Sequence, residues 1–144
     1  MINITLLIVK SAMFCIVLIV TAIYDFKTKT IPLLFPLLLL GVSLIQIDFI
    51  QSICGALIIG GVFGLAAVIS KGKIGGGDFK LMTACGFFFG VAGGITQSIV
   101  GLLVGCIYGI ITARITKQKL NETTIPLAPG LCAGGIFVCI ANLL

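Results

Sequence analysis

Eight of the nine basic residues in this chain fall into three short clusters, and the stretches between those clusters are almost free of charge. The clusters are Lys27 and Lys29; Lys71, Lys73 and Lys80; and Arg114, Lys117 and Lys119. Around them the sequence divides into six apolar runs: Ile4–Tyr24, Ile31–Ile47, Ile53–Ser70, Leu81 to about Ile95, Ile99–Ala113 and Ile125–Leu144. A small water-soluble domain leaves much of its area exposed and cannot hide that much apolar surface. The chain is 60% hydrophobic and 9% charged, against about 45–50% and about 25% in soluble domains. Disorder is excluded by the same figures, because disordered chains are polar and rich in charge. The sequence therefore predicts an all-α, polytopic membrane protein. At about 20 residues per crossing, 144 residues allow no more than about seven spans and leave no room for a soluble domain.

The charges also predict an orientation. Cytoplasmic loops of membrane proteins collect lysine and arginine. With the amino terminus outside, the first, third and fifth loops face the cytosol, and they hold all eight clustered cations. A wrong helix count would scatter those cations, so the pattern predicts six transmembrane helices with both termini extracytoplasmic. Lys10 is the exception; it lies in the outer half of the first run, from where a lysine can snorkel to the nearer interface. The first run lacks the basic start and small-residue cleavage site of a secretory signal and reads as a retained helix. Pro32 and Pro36 fall near the start of the second run, where first-turn amides have no intrahelical partner in any case. The basic balance thus records topology in a lipid bilayer and predicts no nucleic-acid partner. No linker or repeat divides the chain, which reads as one transmembrane domain, 1–144.

Several chemistries are closed. There is no histidine, so Ser–His and Cys–His nucleophiles and histidine metal sites are absent. The six cysteines, Cys15, Cys54, Cys85, Cys106, Cys132 and Cys139, form no Cys-x-x-Cys pair and lie in apolar runs, where cysteine packs as a small hydrophobe. Glycines recur at every fourth position as Gly60/Gly64, Gly86/Gly90, Gly101/Gly105/Gly109 and Gly130/Gly134. That spacing gives a helix one smooth face along which a neighbouring backbone can approach.

Four acids remain: Asp25, Asp48, Asp78 and Glu122. Asp48 and Glu122 fall in loops and read as solvated. Asp25 directly follows a spanning run and Asp78 directly precedes one, both on the cytosolic side of the predicted topology. Ionisable groups at a membrane boundary carry a functional hypothesis by default. Two carboxylates brought together share a proton, so one can activate water while the other protonates the carbonyl or the leaving amine. This chemistry needs no metal and no cofactor. The plainer alternative is that each aspartate pairs with a nearby lysine or caps a helix.

The neighbouring residues favour the chemical reading. Gly75-Gly76-Gly77-Asp78 is a Gly-x-Gly-Asp sequence running into a helix. Consecutive glycines can take positive φ and let an extended strand pass beside the carboxylate. Together with Asp25-Phe26-Lys27-Thr28-Lys29-Thr30-Ile31-Pro32, it resembles the type IV prepilin peptidases, polytopic aspartic proteases with an aspartate at the end of the opening helix and a second in Gly-x-Gly-Asp. Pro126-Leu127-Ala128-Pro129 and the predicted six spans fit the same family. Leu33 stands where the family often has Asn or Asp after Ile-Pro.

The resemblance implies that Asp25 and Asp78 are catalytic and that Gly75, Gly76 and Gly77 shape the substrate site. It implies a substrate class too, a prepilin-like precursor whose short basic leader is cut off after a glycine at the cytosolic membrane face. Longer members carry a cysteine-rich insert and methylate the new amino terminus. This chain has no such insert, so it resembles the short stand-alone members and is expected to cleave without N-methyltransferase activity. Lys80 would contact the precursor just past the cut or anchor its helix at the interface; i, i+2 spacing separates it from Asp78 on a helix. The implied location is the cytoplasmic membrane. Two other readings stay open: an intramembrane protease of the presenilin kind, with Tyr24-Asp25 as its first motif, and a small ion- or proton-coupled transporter subunit, whose acids would lie nearer the midplane.

Overall fold

The computed structural model describes residues 3–71, 74–117 and 127–144. Lys73, Lys119, Glu122 and Pro126 lie outside these residues. The described chain is helical: α1 (Ile4–Thr28), α2 (Leu34–Ser43), α3 (Phe49–Ile69), α4 (Gly76–Thr116) and α5 (Ala128–Leu143).

The helix ends follow local chemistry. Lys29 takes a left-handed conformation (φ 53°) and returns its N–H to the Asp25 carbonyl at 2.7 Å, closing α1. Pro32 restrains Ile31 from the helical region, so α2 begins only at Leu34; Gln46, at φ 50°, follows its end. The second apolar run therefore contributes 10 helical residues instead of the whole of Ile31–Ile47. Asp48 is the N-cap of α3, its carboxylate accepting the Gln51 N–H at 3.4 Å.

The fourth and fifth apolar runs fall within one element, α4, and the break is at Gly90 rather than between Ile95 and Ile99. Gly90 has φ 71° and ψ −166°, a combination essentially reserved for glycine. A straight helix of this length would be about 60 Å long, twice the hydrocarbon thickness of a bilayer. Instead the chain doubles back. A methyl group on Gly94 would lie 3.4 Å from the Cα of Gly86, whereas eight residues along a straight helix span about 12 Å. The first arm packs antiparallel on α3 and α1, with Phe79 beside Gly64, Thr83 beside Gly60, and Phe88 stacked on Phe14 at 3.8 Å. The second arm packs antiparallel on α5, where Gly101 meets Gly130 and Leu131, and Gly105 meets Leu127.

Glycine makes these approaches possible. A Cβ on Gly130 would stand 2.6 Å from the Gly101 carbonyl oxygen, and one on Gly86 would stand 2.6 Å from that of Gly55. Gly86, Gly101, Gly130 and Gly134 are thus backbone contacts between helices, whereas Gly60, Gly64 and Gly105 receive side chains. Polar ties are few but placed between elements: Gln97 donates through Nε2 to the Leu131 carbonyl at 3.2 Å. Lys10 turns inward, its amine donating to the Gln46 carbonyl at 3.3 Å and lying 4.8 Å from the Phe88 ring centre.

Three helices, α1, α3 and α4, are long and apolar enough to cross a membrane; α2 and α5 are shorter apolar helices. No more than 28% of each spanning window is buried inside the protein. Large side chains such as Ile16, Leu57, Val62, Leu103 and Ile107 point outward, as a lipid-facing surface requires.

Candidate active site

The end of α1 and the start of α4 meet at one end of the bundle. Asp25 lies in the last turn of α1 and is 5% exposed. Asp78 lies in the first turn of α4, its N–H donating to the Gly75 carbonyl at 3.0 Å. Because α1 and the first arm of α4 run antiparallel, residues 53 positions apart in sequence line the same pocket. That pocket has a volume of about 280 Å³ and is walled by Asp25, Lys29, Thr30, Ile31, Gly75, Gly76, Gly77 and Asp78. A bulk water occupies about 30 Å³, so there is room for several waters or a short length of extended backbone.

The two carboxylates have different surroundings. Asp25 Oδ2 accepts the backbone N–H of Ala128 at 3.3 Å. Ala128 is the first residue of α5, so this carboxylate sits at a helix N-terminus, where free amides and the helix dipole favour an anion. The capping alternative is therefore realised at Asp25, in tertiary rather than local form. Asp78 Oδ1 is buried with no hydrogen-bond partner among the described residues. An unpartnered buried carboxylate oxygen is costly, and here it belongs to a residue that lines a pocket.

The glycines build the wall by proximity, not by unusual dihedrals. Among described glycines only Gly90 has positive φ, so the expected positive φ at Gly75–Gly77 is absent. A Cβ on Gly77 would fall 2.7 Å from Ile31 Cβ and 3.3 Å from Ile31 N; the close approach is to the chain's own α1–α2 connection. A Cβ on Gly75 would come within 3.3 Å of Asp78 Oδ2, while one on Gly76 would meet nothing within 4 Å. Lys80 is exposed on α4, outside the residues that line the pocket.

Sequence reasoning missed four contributors: the Ala128 amide and the walls at Lys29, Thr30 and Ile31. The first motif contained the last three, in a turn where Thr28 Oγ1 donates to the Thr30 carbonyl at 3.1 Å. The Ala128 amide had only a faint signal, the prolines that flank the start of the last helix.

Residues 12–113 match the model of the type IV leader peptidase family. The chain is also similar to a prepilin leader peptidase/N-methyltransferase of Bacillus subtilis (strain 168), 36% identical over 73 residues. That stretch covers 49% of this chain and 28% of the relative, so the chain spans well under half of the length of the curated protein it matches. No solved structure matches it.

Proposed function

The chain belongs to the type IV leader peptidase family, and on that premise we propose that it is a membrane aspartic endopeptidase with Asp25 and Asp78 as its catalytic pair. It is a multi-pass, all-helical membrane protein. The proposed substrate is a prepilin-like precursor, from which the enzyme removes a short basic leader after a glycine at the cytosolic membrane face.

The observation that carries this reading is the shared pocket. Two aspartates from opposite parts of the chain line one cavity, with no histidine available to substitute for either. In the proposed reaction, water stands between the carboxyl groups. The ionised carboxylate takes one proton from it, the oxygen attacks the scissile carbonyl carbon, and the partner's acidic proton passes to the carbonyl oxygen. Collapse of the tetrahedral intermediate breaks the C–N bond, and the leaving amine takes a proton from the pair. The Ala128 N–H fixes the orientation of Asp25, and such positioning is where much of an enzyme's rate acceleration resides. Gly75, Gly76 and Gly77 give the substrate backbone access, and Lys80 contacts the precursor beyond the cut or anchors α4 at the interface.

The proposed chemistry is hydrolysis alone, without N-methyl transfer. Only five residues, 29–33, join α1 to α2, and none of the chain's cysteines falls there. In the same reading residues 1–144 form one domain that crosses the cytoplasmic membrane six times, with both termini outside. Support comes from the reversal of α4 at Gly90, which gives six helical legs of alternating direction. Further support is that Lys27, Lys29, Lys71, Lys80, Arg114 and Lys117 all lie toward the pocket end.

The test is co-expression with a prepilin-like precursor, comparing wild type, Asp25→Asn and Asp78→Asn at matched membrane levels. Cleavage by wild type and its loss in both variants is the expected result. Undiminished cleavage in either variant overturns the two-aspartate mechanism.

A further inference from the structure

A second concavity lies next to the pocket. It is a groove of about 540 Å³ between α3 and the first arm of α4, lined by Leu57, Gly60, Gly61, Gly64, Phe79 and Thr83 among others. Glycine accounts for its shape. Thr83 and Phe79 lean on Gly60 and Gly64, where an added Cβ would stand 2.6 Å from Thr83 Oγ1 and 3.0 Å from Phe79 Cε2. Gly61 faces open space. The Thr83 hydroxyl is already committed to the Phe79 carbonyl at 2.8 Å, so the groove has no free polar group to offer and calls for an apolar occupant.

Its position relative to the pocket is the informative feature. Phe79 lines the groove, and its chain neighbour Asp78 lines the pocket. The surface therefore changes from polar and charged to wholly apolar within one residue of the proposed catalytic group. The precursor that the family resemblance implies, a short basic leader followed by an apolar helix, would make the same change at the cut. A smaller apolar hollow of about 270 Å³ between the end of α1 and the start of α5 includes Lys27 in its wall, which suits an apolar helix poorly.

We propose that the α3–α4 groove is the docking site for the precursor's apolar helix, seating it so that the residues before the helix reach Asp25 and Asp78. This rests on the peptidase reading above and deepens it. Gly61, open where Gly60 and Gly64 are covered by Thr83 and Phe79, would let the substrate helix approach α3 closely at that point, which is how helices associate where lipid supplies no hydrophobic drive. Docking in the groove would make the enzyme select for the helix and not only for the leader.

The test compares two substrates: the full precursor in membranes, and a short peptide that spans the cut but lacks the apolar helix. Gly61→Phe fills the groove from a position with free space around it, and Val62→Phe adds the same bulk to an exposed site on α3 outside the groove. The readout is the ratio of kcat/KM for precursor to that for peptide. We expect Gly61→Phe to lower that ratio roughly tenfold, the effect of about 1.4 kcal/mol of lost binding, and Val62→Phe to leave it unchanged. A ratio unchanged by Gly61→Phe overturns the proposal and leaves the groove to lipid acyl chains.

A second measurement does not depend on the folding of Gly61→Phe or on turnover. A photoreactive residue replacing Leu65, in the groove, or Val62, outside it, is introduced into the Asp78→Asn enzyme and irradiated with the precursor. Adducts from position 65 and none from 62 are expected; adducts from 62 alone, or from neither, overturn the docking site. Retained cleavage in Asp78→Asn would instead count against the catalytic pair, so the two failures are distinguishable.

Discussion

Gly76 and Gly77 are adjacent in sequence and opposite in tolerance. A methyl group on Gly77 collides with Ile31 Cβ and crowds its backbone nitrogen, while one on Gly76 meets nothing within 4 Å. Gly77→Ala must displace the α1–α2 connection that carries Lys29, Thr30 and Ile31 into the pocket. Overpacking of this kind costs about 1–3 kcal/mol, so thermal unfolding in detergent should show a lower midpoint for Gly77→Ala and an unchanged one for Gly76→Ala. Equal midpoints would show that Ile31 yields freely. The sequence distinguished neither glycine, because both belong to one motif and only the packed neighbour separates them. The aspartates divide in a similar way. Their placement at helix ends was readable from hydropathy breaks alone. That Asp25 accepts an amide from Ala128, more than a hundred residues away, was not, because the contact exists only once α1 and α5 lie side by side.

At the scale of elements, Gly90 and Gln97 carry the most specific consequences. Gly90 sits in backbone space that costs a residue with a side chain of order 1–3 kcal/mol, and its Cβ position is 3.2 Å from Gln51 Oε1. Gly90→Ala is therefore expected to destabilise the hairpin within α4 by about that amount, measured by unfolding in mixed detergent. Gly61→Ala, on the open face of α3, serves as the neutral comparison. Gln97 is fully buried and ties the second arm of α4 to α5 through the Leu131 carbonyl. Hydrogen bonds between membrane helices average about 0.6 kcal/mol, so Gln97→Leu should lower stability only slightly. A large loss would mean that this tie holds α5, and with it the Ala128 amide, in place. The existence of each helix followed from apolar runs, but two boundaries did not. Pro32 shortened α2, and the reversal in α4 came five residues before the expected end of its run, because hydropathy does not change where a glycine turns the chain inside an apolar stretch.

For the whole molecule, the outward-facing apolar surface and the polar ends define how it sits in a bilayer. The end bearing the pocket carries the described cations of the three clusters, and the opposite end carries Asp48 and Gly90. In the proposed topology a cysteine replacing Asp48 should react with an impermeant maleimide added outside intact cells. One replacing Lys117 should react only after the membrane is opened. The reverse pattern would invert the protein and place the pocket outside. Membrane residence and helical class were determined by the sequence itself, because a bilayer imposes its length and charge rules on each segment separately and hydropathy and charge record them directly. The shared pocket, the amide on Asp25, the chain's own Ile31 against Gly77 and the groove beside Phe79 were decided only by the tertiary structure. They are contacts between segments far apart in the chain, and which glycine face meets which helix depends on how all of them pack at once.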